Sequence, residues 1–184
     1  MAIWEIRPGD TRGRPVLVAS DEQDVDDRTF VTDGTPRDWT HRPPVEFYTR
    51  APKKKQREAA NVMPFVSGTF VLDAKARAAI GGLLSRFGQL LELHRSGDGE
   101  TLYMFNCTNV IDCIDDARSQ RTEDGRLKLE SIDESKVPKD AMVFKAPATA
   151  RVRNYLNDAA KESIEQWAGE AGITGIEIVS LDPV

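Results

Sequence analysis

Cysteine is scarce in this chain: Cys107 and Cys113 are the whole supply, and the only histidines are His41 and His94. A small secreted scaffold stapled by disulfides needs more sulfur than this, so both thiols are expected to be reduced. The six-residue separation of the cysteines does not match the paired spacing of a zinc ribbon, and neither histidine has a second ligand at metal spacing. No structural metal and no cofactor is therefore expected. Long apolar runs are missing too, since nothing approaches the roughly 18 residues that a membrane-crossing helix requires. The first ten residues, Met1 to Asp10, lack the charged-then-apolar pattern of a signal peptide, which points to a cytoplasmic protein. No phosphate-cradling glycine loop is present, because Gly81-Gly82 falls in a helical pattern and is not followed by the Lys-Ser or Lys-Thr of a P-loop.

What is present is the composition of a folding chain. Hydrophobic residues make up 40% and charged residues 30% of it, which implies neither disorder nor a fibrous repeat. A length of 184 residues favours one domain of ordinary size. The net charge of −5 repels nucleic acid and anionic membrane on average. Three local patches stand out: a basic run around Lys53, Lys54 and Lys55, an acidic cluster containing Asp24, Asp26 and Asp27, and a second one of Asp112, Asp115 and Asp116. Each reads most simply as a solvated loop or helix end.

Residues 1–62 are punctuated by proline and glycine and leave room for short strands between turns, with Trp4–Ile6, Val16–Ala19 and Val45–Tyr48 as candidates. Residues 63–184 carry clearer periodicity and form the expected core. Asp73 is a good N-cap for an amphipathic helix through Ala76, Ile80, Leu83, Leu84 and Phe87, ending at Gly88. Gly81 and Gly82 in its interior suggest the close approach of another backbone. Leu91 and Leu93 then alternate with polar residues, Gly97 and Gly99 mark a turn, and Leu102–Phe105 is apolar throughout. That is a β-hairpin whose second strand is covered on both faces. Leu127–Glu130 and Val143-Phe144 are further strands. Val152, Leu156, Ala160, Ile164, Trp167 and Ala171 fall on one helical stripe closed by Gly172, and Gly175–Val179 returns as a strand. The predicted fold is α+β, a mainly antiparallel sheet packed by two principal amphipathic helices.

Catalysis needs convergent groups with matched roles, and few combinations survive that test. Cys107 with His94 could imitate a thiol and its base, but a buried cysteine and a strand-face histidine explain the pair as well. Asp112, Asp115 and Asp116 could gather a divalent cation, yet the spacing is wrong for an EF-hand loop. Lys53–Lys55 beside Tyr48 could touch a nucleic-acid backbone, although in an acidic protein the run reads as a solubilising segment. Trp39, Phe47 and Tyr48 could be binding anchors, or the apolar anchors of a thin N-terminal region. No catalytic residue is assigned.

From about Trp39 to Leu181 the order of features resembles immunity family eleven of the bacterial polymorphic-toxin systems, formerly a domain of unknown function. Met63-Pro64-Phe65 leads to Ser67–Leu72, then come the helix to Leu84, Gly88–Leu93, the aromatic strand Leu102–Asn106 continuing to the aspartate-rich bend at Asp115, Ser119, Val143–Lys145 and Gly172–Ile178. A C-terminal helix lengthened over Asp158–Gln166 and the Lys53–Lys55 segment depart from the pattern. The resemblance implies a non-enzymatic intracellular protein that protects its own cell by binding a toxin encoded beside it, with no catalytic residues to carry over. From charge clustering, Asp24, Asp26, Asp27, Asp112, Asp115 and Asp116 are the expected partner-binding residues, suited to a basic toxin. A small enzyme and a self-associating structural protein remain the alternatives.

Overall fold

The computed structural model of the protein describes residues 1–140 and 142–181, so position 141 and the last three residues of the expected 63–184 core lie outside the described residues. The strands are β1 (Ile3–Pro8), β2 (Val16–Ala19), β3 (Pro44–Tyr48), β4 (Val62–Pro64), β5 (Phe70–Leu72), β6 (Gly88–Arg95), β7 (Thr101–Cys107), β8 (Gln120–Arg121), β9 (Leu127–Leu129), β10 (Val143–Phe144), β11 (Tyr155–Asn157) and β12 (Ile176–Ser180). The α-helices are α1 (Glu22–Asp26), α2 (Ala74–Leu84) and α3 (Asp158–Ala171). The mixture is α+β.

One sheet has the order β10-β11-β1-β12 and is antiparallel throughout. The larger sheet runs β2-β3-β6-β7-β5-β4, with a single parallel pair, β3 against β6. A small ribbon joins β8 to β9. Both large sheets draw strands from either side of residue 62, since β1 lies between β11 and β12 while β3 abuts β6. The N-terminal third is therefore woven into the core.

β7 sits inside the larger sheet and packs on both faces, as its unbroken apolar run predicts. Phe105 meets the cluster formed by Ile80 and Leu84 of α2, Ile164 of α3 and Phe70, while Leu102 and Met104 point the other way, into a cluster with Leu17, Phe30, Val45, Met63 and Val71. Alternation within β5 does the same, with Phe70 and Leu72 on the helix side and Val71 opposite. Removing a side chain of this size from water contributes roughly 1.5–3 kcal/mol. A third cluster of Ile3, Ile114, Phe144 and Tyr155 closes the far side of the smaller sheet.

Asp73 caps α2 by accepting the amide of Ala76 at 2.8 Å. The helix stops at Leu84 rather than running to Gly88, because Arg86 and Phe87 turn back onto the carbonyls of Leu83 and Leu84 and Gly88 already begins β6. Among the described residues no other segment's backbone packs against Gly81-Gly82: a methyl at Gly81 would meet side chains of Leu90 and Arg77, and one at Gly82 would meet nothing within 4 Å. The C-terminal stripe is likewise shorter than its periodicity suggests. Val152 is 56% exposed, and Leu156 belongs to β11, paired with β1 on one side and β10 on the other. Asn157 then caps α3 through the amide of Ala160, and Gly172 ends it in the left-handed conformation, at φ 59°. Asp158, in the first turn, accepts the amide of Ala2 and the indole N–H of Trp4, tying β1 to the helix.

Candidate functional site

The two outer strands of the larger sheet, β2 and β4, approach each other without pairing. The curled sheet is thus left with a seam. On β2, the amide of Ser20 binds the carbonyl of Pro44, so the alternation of an antiparallel pair directs the backbone groups of Val16 and Val18 toward β3. Those of Leu17 and Ala19 face the opposite way, along the open edge, and have no hydrogen-bond partner among the described residues.

A short helix for which the sequence pattern gives no periodic signal flanks this edge. Asp21 accepts the amide of Gln23 and starts α1, which ends where Arg28 takes φ 57°, the one non-glycine residue at positive φ among the described residues. That conformation costs a side chain about 1–2 kcal/mol. Its turn is held on both sides, by the Arg28 amide on the Val25 carbonyl and the Val31 amide on the Arg28 carbonyl. Phe30 then packs edge-on against Phe65 at 4.8 Å and against Trp39 at 6.0 Å.

Three loops converge beneath the seam, and Lys145 joins them. Its side chain is fully buried, and the ammonium donates to the carbonyls of Thr32 at 3.1 Å, Gly68 at 2.7 Å and Ala150 at 2.5 Å. Burial lowers its pKa to about 8, against the opposing pull of nearby Cys107 and Asp33. The approach of the loops is close. Gly68 has φ 78°, and a Cβ there would lie 2.5 Å from the carbonyl oxygen of Arg151, which only glycine avoids.

Together these segments enclose an open cleft of about 560 Å³. Leu17, Val25, Phe30, Val31, Phe65 and Val66 are among its hydrocarbon walls, and Thr32, Ser67 and the exposed Arg28 and Arg151 are its polar lining. Among the described residues the other arginines all engage an ion pair, a hydrogen bond or an aromatic ring. The guanidinium groups of Arg28 and Arg151 alone have no such partner there.

The acidic residues singled out by charge clustering sit differently. Asp24 is 5% exposed and does not offer a solvated carboxylate: Oδ1 is 3.0 Å from Nε2 of His41 and accepts the Thr29 hydroxyl, while Oδ2 has no partner among the described residues. It is drawn inward because α1 turns that face onto the segment after it. Asp26 and Asp27 are exposed, as is Asp112. Asp115 pairs with Arg118 and Asp116 with Arg121, so much of that cluster's charge is already compensated. The hydrogen bond from Arg118 also holds the Asp115 carboxyl below its usual pKa.

Cys107 and His94 lie at opposite ends of the β6–β7 hairpin, where Cys107 faces Gly88 and His94 faces Thr101. They form no thiol–base pair. Burial pushes both cysteine thiols up to about 11. Among the described residues no group of three His, Cys, Asp or Glu side chains could hold a metal ion, and no helix is long and apolar enough to cross a membrane. Of the N-terminal aromatics, Trp39 packs on the inner cluster whereas Phe47 and Tyr48 remain exposed, beneath the guanidinium groups of Arg95 and Arg50. Lys53–Lys55 forms an exposed 3₁₀ turn.

Lys145, Arg28 and Arg151 carry the cleft, and charge clustering along the chain points to none of them. A lysine directly after the apolar pair Val143-Phe144 is the one signal that the sequence offers. Compared with protein-family models and with curated proteins, the chain matches none.

Proposed function

We propose that this protein acts by binding another protein and blocking it, with no chemistry of its own. The partner in this reading is a bacterial toxin produced beside it, neutralised in the cytoplasm. The observation that carries the binding role is the seam cleft, whose hydrocarbon walls and two uncommitted arginines offer a partner contact and charge. An apolar concavity with few polar groups is the usual form of a recognition site. Both large sheets and the two longer helices, α2 and α3, serve as the mainly antiparallel scaffold around it. The toxin assignment is supported by the order of sequence features, which resembles that of immunity family eleven. A stable complex of this kind buries about 1,200–2,000 Å² in total, so the cleft serves as an anchor within a wider contact.

Co-expression tests the reading directly. Cells producing the neighbouring toxin domain should grow when this chain is present, and the two proteins should elute together, with light scattering giving the mass of a complex. Rescue without a complex, or a complex of this chain only with itself, rules the proposal out.

A further inference from the structure

We infer that the seam cleft receives an extended peptide segment of its partner, one that alternates apolar side chains with carboxylates, adds as a strand along the outer edge of β2, and sets its acidic groups on Arg28 and Arg151. The inference rests on the protein-binding reading and specifies what is bound.

Three observations converge on this occupant. The first is the edge itself: Ala19, half-buried beside the cleft, has backbone N–H and C=O groups without partners among the described residues, and a peptide in extended form satisfies such groups in register. A hydrocarbon chain with a single acid group would leave them unmet. The second is the wall chemistry. Side chains on one face of an added strand point the same way every second residue, and Phe30, Val31, Phe65 and Val66 give them apolar contact.

The third observation is charge. In a protein of net charge −5, this cleft carries two guanidinium groups with no ion pair among the described residues. Planar guanidinium groups bind carboxylates through paired hydrogen bonds. Arg28 is placed by a backbone conformation that arginine rarely adopts, and such strain concentrates at binding sites. Buried Lys145 fixes the floor from which Arg151 and Phe65–Ser67 project, so the cleft exists before the peptide arrives. The predominance of hydrocarbon over cationic groups argues against a phosphate backbone as the occupant.

Random heptapeptides displayed on phage and panned against the full chain provide the test. Enriched sequences should alternate apolar residues with Asp or Glu, and an enriched peptide carrying fluorescein should bind in an anisotropy titration. The double variant Arg28→Asn, Arg151→Gln should weaken that binding at least tenfold, with an unchanged circular dichroism spectrum. N-methylation of alternate peptide amides should weaken it at least tenfold without altering the protein at all. Enrichment of basic peptides, no enrichment over the double variant, or indifference to N-methylation overturns the inference. Binding of dodecanoate by a chain that enriches no peptide does so as well, and reassigns the cleft to a small amphipathic anion. The rescue assay separates this inference from the one it rests on. A double variant that loses the peptide but still rescues growth removes the cleft assignment and leaves the immunity reading, whereas intact peptide binding without rescue by the wild type removes the immunity reading alone.

Discussion

Raising the pH should stabilise the wild type relative to Lys145→Met. Lys145 has its pKa lowered from 10.5 to about 8 by burial in the folded chain. Between those values the unfolded chain holds a proton that the folded chain has released, so stability rises with pH across that window. Below about pH 8 both states are protonated and the cost of burying the ammonium is present in full; above about 10.5 it is gone. From pH 7 to pH 9.5 the relief is about 2 kcal/mol. The cysteines act with opposite sign. Burial raises Cys107 and Cys113 from 9.0 to about 11, so the folded chain retains protons that the unfolded chain has lost, and stability falls through that range. Both proteins share those thiols, so the Cys113 contribution cancels in their difference, and so does that of Cys107 apart from the part that the Lys145 charge itself lowers, which is smaller than the burial that raises it. Urea unfolding at pH 7 and pH 9.5 is the assay. With a slope of about 2 kcal/mol per molar, the gap between the two midpoints should shift by about 1 M in favour of the wild type. A gap that stays constant within about 0.3 M refutes the reasoning, since it means that the Lys145 ammonium is solvated in the native state.

Other substitutions probe the scaffold. Gly82→Ala adds a methyl to an exposed helical position with open space around it, and should stabilise the protein by about 0.5–1 kcal/mol, read as a rise in thermal midpoint. Asn157→Ala removes both the cap on Ala160 and the side-chain donor to the Lys139 carbonyl, for a loss of about 2 kcal/mol in urea titrations. Gly68→Ala forces a Cβ onto the Arg151 carbonyl at positive φ, and a loss of about 2–3 kcal/mol is expected from the same measurement. Cys107 and Cys113, buried with raised pKa, should stay unreactive toward an aromatic disulfide reagent at neutral pH in the native chain and react freely in urea.

Elements set by their own neighbours are legible in the order of amino acids alone. The cap at Asp73, the hairpin from Gly88 to Cys107, the doubly covered run at Leu102–Phe105 and the left-handed stop at Gly172 each follow from residues a few positions apart. The Val152–Leu156–Ala160 spacing misleads, because Leu156 fits a helical stripe as well as a strand. Pairing of Tyr155–Asn157 with β1 and β10 decides it, and the first of those partners lies at the other end of the chain.

Charge is the least legible property. Asp24 reads as solvent-facing, and it turns inward because Thr29 and His41 come round to meet it. Lys145 reads as an ordinary lysine, and its role depends on carbonyls 113 and 77 positions away along the chain, with a third only five away. Local hydrogen bonding and side-chain period belong to the sequence itself, since they involve atoms that the covalent chain keeps close. Which charges are buried, which backbone edge stays unpaired and which arginines lack a partner are decided only when distant segments pack together, because each depends on what lies opposite rather than alongside.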